Sequence, residues 1–235
     1  MNESLAQLLS LAEADASLRT LAGRLADLER EEARLRTLLA SEEEAFRRRQ
    51  EGHRALRLSA LAKSGEVDST DEKIRTYQHK LDHDIIPYKE MEHLREQVTF
   101  LRGQLDTLAD EALQLMAEAD ADEGKLREEA IAHEGRRREL EEELGALARR
   151  RATILAEQDA LRVRRDEIFQ RVPLRLRGHY ERLLGSGGSP VVPVVGGMCG
   201  GCHLRLVETT VEKVKSEREV VTCEHCSRFL YLPPS

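Results

Sequence analysis

Leu140, Leu147, Ile154, Leu161 and Ile168 recur every seven residues. A chain that holds apolar side chains at that interval buries them by laying one helix along another. The same stripe runs earlier through Leu94, Val98, Leu101, Leu105, Leu108, Ala112 and Leu115, and earlier still through Leu18, Leu21, Leu25, Leu28, Leu35 and Leu39. Glu and Arg fill the remaining faces. Aromatic residues are only 3% of the chain and Trp is absent, too few for a thick globular core but enough for thin helix-helix seams built on Leu and Ala. The expected fold is therefore mainly α, a long antiparallel coiled-coil hairpin over residues 1–171 with a small C-terminal β module.

Between the stripes, Lys63 to Thr70 gathers Gly, Ser and Asp without an apolar period, which places the turn of the hairpin at about 63–70. Ser69 or Thr70 would cap a short helix from Asp71 to about Asp84, and Pro87 would end or kink it. The second helix then runs from Tyr88 to about Arg171. A straight helix of that size is on the order of 120 Å long and needs a partner along its length. The first helix supplies one within the chain, so a monomer or a coiled-coil dimer is expected. Glu32, Asp122, Glu129 and His133 occupy seam positions and read as a loosely packed seam, as fixing register or as marking partner contacts.

His79 and His83, four apart beside Asp82 and Asp84, have a metal-binding spacing but no third ligand, and read as solvated. Arg136, Arg137 and Arg138, interleaved with Glu139, Glu141, Glu142 and Glu143, read as intrahelical ion pairs, as does the run Arg149 to Arg151.

Composition changes at Val172-Pro173. Residues 172–190 read as a short helix through Tyr180 and Leu184, then a Gly/Ser linker. Residues 191–235 begin with a β-type run, Val191 to Val195, whose Pro193 argues for a sheet edge. Leu204 to Val207, Val220 to Thr222 and Phe229 to Tyr231 read as further strands.

All four cysteines lie here: Cys199-Gly200-Gly201-Cys202, a gap of twenty residues, then Cys223-Glu224-His225-Cys226. Each Cys-x-x-Cys turn aims two thiolates at a common point, and two turns complete the tetrahedron that zinc accepts. Four sulfur ligands leave no open position, so one structural Zn²⁺ is expected and no catalytic metal. Either His203 or His225 as a substitute ligand is disfavoured by the four available thiolates. A redox Cys-x-x-Cys would need a βαβ context, which is absent.

The formal net charge of −7 divides unevenly: residues 1–170 carry 28 basic and 38 acidic side chains, net −10, and residues 171–235 carry 9 and 6, net +3. On the mildly basic head, Arg175, Arg177, Arg182, Arg205, Lys213, Lys215, Arg218 and Arg228 are candidate phosphate contacts, with Phe229 or Tyr231 as stacking platforms. Core packing is the plainer role for both aromatics. No phosphate-cradling loop, open metal site or nucleophile–base pair is evident, so no enzymatic activity is expected. The N-terminus lacks a secretory pattern and no stretch reaches the roughly 20 apolar residues of a bilayer span, so a cytoplasmic, non-membrane protein is expected.

With these residues in place, the chain resembles the bacterial C4-type zinc-ribbon proteins that carry an N-terminal coiled-coil hairpin. The resemblance rests on Val172-Pro173, on His179-Tyr180-Glu181-Arg182-Leu183, on Val194 to Gly197, and on Cys199 to Leu206. It continues over Val220 to Cys226 and Arg228 to Tyr231. Ser227 stands where that family usually has glycine, and Glu224 where proline is frequent. The resemblance implies a non-enzymatic adaptor or chaperone-like protein whose coiled coil engages protein partners, among them sigma-54 and flagellar or type III secretion components, and whose zinc head binds protein or RNA. The alternative is a nucleic-acid-binding protein acting mainly through the basic ribbon.

Overall fold

A computed structural model describes residues 2–233. Helix α1 (Glu3–His83) and helix α2 (Tyr88–Arg171) form a hairpin, followed by α3 (Leu174–Gly185), β1 (Val191–Val195), β2 (Met198–Cys199), α4 (Glu208–Ser216), β3 (Val221–Thr222) and β4 (Phe229–Tyr231). The chain divides into two compact units, one built from Met1–Ala33 with Gly145–Ser235 and the other from Arg34–Leu144.

In the second unit the reversal lies at residues 84–87, and the expected turn at 63–70 is helical throughout. The seam explains this. Ala60, Lys63, Val67, Thr70, Ile74, Tyr77 and Leu81 keep steps of three and four and are all buried or half-buried. Lys63 and Thr70 hide the stripe from an apolar count, yet both fit. Lys63 reaches Glu66 at 3.0 Å and Glu111 across the seam at 3.1 Å, and the Thr70 hydroxyl donates to the Glu66 carbonyl at 2.8 Å. One glycine, Gly65, costs a helix only about 1 kcal/mol, which such contacts offset. Asp71–Asp84 is accordingly no separate helix. Pro87 ends the first helix, because its ring disfavours helical geometry at Ile86, and its carbonyl accepts the Glu90 and Met91 N–H groups at 3.0 Å to start α2.

Asp122 and Glu129, two of the polar seam positions in this unit, are paired. Arg49 donates to both oxygens of Asp122, at 2.7 and 3.1 Å, and its Nε lies 2.6 Å from Glu129; His53 Nδ1 meets Asp122 at 2.8 Å. Arg49 foremost, then His53, hold the Asp122 carboxyl below the usual carboxylate range. His133 stacks on Phe46 at 4.4 Å, leaving its buried Nε2 without a partner. His79 and His83 stack on each other at 4.4 Å near the tip. The arginine run pairs along its own helix: Glu134, between Arg137 and Arg138, is held down to about 2.

In the first unit a four-stranded sheet has the order β2-β1-β4-β3, with β1 parallel to β4 and the other pairs antiparallel. Side chains alternate across it. Val192, Val194, Val221 and Leu230 pack with the cysteines, Leu206 and Val214 of α4. Val191 and Phe229 face the other way, onto Leu8, Leu11, Ala12, Val172 and Tyr180. Burial on both faces accounts for the unbroken apolar runs of β1 and β4.

Contrary to the edge position expected from Pro193, β1 is internal. Its two neighbours use different stretches: β4 pairs with Val191–Pro193 and β2 with Val194–Val195. At each level, then, β1 is paired on one side, and the missing proline N–H falls where the pairing changes sides. Between Leu204 and Val207 only a single bridge forms, Arg205 to Met198. The unforeseen α4 follows, legible in retrospect from the spacing of Val207, Val211 and Val214.

Candidate metal centre

Two turns of the same shape build the site. In each, the residue after the second cysteine donates its N–H to the first cysteine's carbonyl, His203 to Cys199 at 2.8 Å and Ser227 to Cys223 at 2.9 Å. Both residues sit in the left-handed region, at φ 59° and 60°. The first cysteine of each turn donates its own N–H five residues on, Cys199 to Leu204 at 3.0 Å and Cys223 to Arg228 at 2.9 Å. Gly200 is required where it stands, because a Cβ there would lie 2.8 Å from the Pro193 carbonyl oxygen.

These turns bring four sulfurs within 4.8 Å of one another. Cys199 and Cys226 Sγ are 3.7 Å apart, and Cys202 and Cys223 Sγ 3.8 Å. A tetrahedron with metal–sulfur bonds of about 2.3 Å has edges of about 3.8 Å, so the donor set fits one Zn²⁺. Each sulfur also receives the N–H of the residue two positions on. Gly201 and His225 donate to Cys199 and Cys223 at 3.4 Å, and Leu204 and Arg228 donate to Cys202 and Cys226. Such N–H groups favour the thiolate form. Without a cation the demands conflict. The Leu204 N–H brings the Cys202 thiol down to about 7, while burial pushes Cys223 up to about 12 and Cys226 also upward. A divalent ion resolves the conflict by holding all four as thiolates, with release of protons. Cys199 to Cys226 thus form a C4 zinc ribbon that holds one metal ion, and with four sulfur ligands that ion is structural. His203 and His225 are exposed beside it; among the described residues the four-cysteine set is the one group arranged for a metal.

Around the ribbon, the structure uses residues that carried no sequence signal for a site. Asp15 lies at a seam position of α1, buried, and accepts from the Tyr180 hydroxyl at 2.7 Å and from Arg165 Nε at 3.0 Å. Burial foremost, then the Asp15 carboxylate, pushes the phenol of Tyr180 well above its usual range, so it remains the donor. A charged residue at a spacing reserved for apolar ones was the available clue. His179 contacts the Ser227 carbonyl at 2.8 Å and packs edge-on against Phe229. The Glu224 carboxylate accepts the Val207 N–H at 2.9 Å where α4 begins, and that bond holds its pKa down.

The eight basic candidates separate into two groups. Arg177 is bound to the Val172 and Gln170 carbonyls at 2.8 and 2.7 Å and lies over Phe169; Lys215 pairs with Glu212; Arg228 leans across Gly201 toward the Gly187 carbonyl. Arg175, Arg182, Arg205, Lys213 and Arg218 are exposed. Phe229 is fully buried and Tyr231 half-buried, so neither is an open stacking platform. No helix of the described residues is long and apolar enough to cross a membrane.

A family model of the C4-type zinc ribbon domain matches residues 198–230. Among solved structures, CT398 from Chlamydia trachomatis is 20% identical with a TM-score of 0.80, covering 98% of this chain and 98% of that one. A Mycobacterium smegmatis protein is 20% identical at a TM-score of 0.73, covering 99% and 100%. HP0958 from Helicobacter pylori CCUG 17874 is 20% identical at 0.53, covering 100% and 99%. At these identities the likeness is one of fold. No curated protein matches the chain.

Proposed function

We propose that the protein is a non-enzymatic adaptor, chaperone-like in that it holds other proteins, with the helical hairpin as its main binding element and the zinc ribbon as a second. The observation that carries this reading is the set of large apolar side chains left in solvent on the two long helices, Leu58, Leu61, Phe100, Leu113 and Ile131 among them. Large apolar side chains left exposed along a hairpin are the kind of surface that protein contact covers. The head offers a similar feature: Val195 and Met198, paired across β1 and β2, are exposed, as are Leu204 and Val207. Sigma-54 and flagellar or secretion components are the partner classes to look for first, and four cysteines grouped for zinc suit a reducing, cytoplasmic site of action.

Protein is preferred to nucleic acid as the head's ligand because three of its eight candidate cations serve internal contacts and its aromatics are packed. The test is a tagged pull-down from the native host, with and without nuclease, identifying proteins and nucleic acids from one eluate. Proteins retained after nuclease are the expected result. Recovery of RNA or DNA, with partners lost on digestion and binding that falls steeply with salt, would transfer the function to the ribbon.

A further inference from the structure

Helix α4 has nine residues, too few to hold itself in water, and its N-cap residue, Val207, offers no side-chain acceptor to the first turn. In a capping box the third helical residue is Glu or Gln and reaches back to the N-cap N–H; here that position is Thr210. The missing carboxylate comes from another part of the chain. Glu224, seventeen residues on from Val207, accepts the Val207 N–H at 2.9 Å, and the Thr210 hydroxyl reaches the same carboxylate. Its negative charge also suits the N-terminal end of a helix.

Glu224 stands between the ligands Cys223 and Cys226, inside the second metal turn. Its neighbour His225 reaches the same stretch of chain, with Nε2 3.4 Å from the Arg205 carbonyl oxygen. Both side chains at the centre of this turn thus meet the segment that leads into α4. The first turn has no counterpart, since its central residues are Gly200 and Gly201. Packing ties α4 to the site a second way: Val214 is buried in the same cluster as Cys199 and Cys223, with Val211, Cys202 and Cys226 packed against it.

What sets Glu224 opposite Val207 is the shape of the turn, and what holds the turn is the convergence of Cys223 and Cys226 on one ion. We propose that Glu224 is a positioning residue that couples zinc to α4: with the metal bound its carboxylate caps the helix, and the capped helix in return tightens the hold on the metal. The reciprocity is thermodynamic, since a contact made only in the loaded state adds to the affinity for whatever loads it. The inference stands independently of the adaptor reading but bears on it. Leu204 and Val207, exposed by 49 and 55%, flank the Arg205 carbonyl that His225 meets, so zinc also fixes where that part of the head's apolar surface lies.

The test uses the full chain loaded with zinc and reads two quantities, amide hydrogen exchange over α4 and zinc affinity by competition with a chromophoric chelator. Glu224→Ala should still take up one zinc per chain at saturation, with α4 exchanging about fivefold faster and zinc held about fivefold more weakly, the usual size of a lost cap. Glu224→Gln keeps an oxygen acceptor at the same reach and should recover most of both losses. Val207→Pro removes the donor instead. Its ring suits the φ of −68° at that residue, and the variant should lose zinc affinity although both metal turns keep their sequence. In the Val207→Pro background Glu224→Ala should then cost little more. Faster α4 exchange at unchanged zinc affinity would reduce Glu224 to a local cap and overturn the coupling. Weaker zinc at unchanged α4 exchange would confine its effect to the metal turn and overturn the coupling too. If Glu224→Ala takes up no zinc at all, Val207→Pro decides alone: unchanged affinity overturns the proposal and weakened affinity supports it.

Discussion

Ser227 adopts φ 60°, a conformation that costs an L-residue about 1–2 kcal/mol and glycine almost nothing. The glycine usual at this place in the resembled family therefore has a physical cause, the left-handed turn that closes the second knuckle. Replacing Ser227 with Gly should raise the stability of the zinc-loaded protein by about 0.5–1 kcal/mol, after allowance for the extra freedom of glycine in the unfolded chain. An unchanged or lower denaturant midpoint would show that the turn is not strained. Tyr180 offers the opposite experiment. Its hydroxyl is one of two donors to the buried Asp15 carboxylate, so Tyr180→Phe should destabilise by about 1–3 kcal/mol at preserved zinc content. The four ligands were legible because spacing alone defines them. The Asp15–Tyr180–Arg165 contact was not, since it joins residues 150 or more apart.

At the scale of elements, the heptads gave the seam register correctly on both long helices, from Leu21 and Leu35 to Leu140 and Leu147. They failed where the seam turned polar. Lys63 and Thr70 broke the apolar count, and a turn was expected in a helix that their hydrogen bonds complete. The same polar chemistry makes the hairpin sensitive to acid. Asp122 has a folded pKa below its unfolded value, so its contribution is fully present above the ordinary carboxylate range near 4 and is lost as pH falls through the depressed folded value. Thermal melts of the native protein should therefore weaken from pH 5 toward pH 2, and Asp122→Asn should be less stable at pH 7 while losing less on acidification. Parallel pH curves for the two proteins would show that this carboxylate does not contribute to the dependence.

For the whole molecule, zinc and helix packing stabilise opposite faces of one small sheet. Chelation, or Cys223→Ser, should unfold the ribbon from about residue 190 onward and expose Phe229, while circular dichroism keeps most of its helical signal. Structural zinc sites supply about 10–16 kcal/mol in small peptides, more than the ribbon's few apolar residues could replace. Collapse of the helices on chelation would mean the hairpin depends on the metal. A Cys223→Ser protein still holding one zinc would refute the four-thiolate centre. The zinc module was visible from its cysteine spacing. What composition could not show is that the sheet is shared, because only the alternation of Val191 with Val192 and Phe229 with Leu230 carries that information. One consequence concerns synthesis. Leu8 and Leu11 meet Phe229 more than two hundred residues later, whereas within Arg34–Leu144 the cross-seam pairs are nearer in sequence, 73 residues apart for Arg49 and Asp122. On the ribosome the part of the hairpin around its reversal can pair as it emerges, but the opening turns of α1 gain their full cover only when the last strand is made, a long interval in which chaperones and zinc supply set the yield of finished protein.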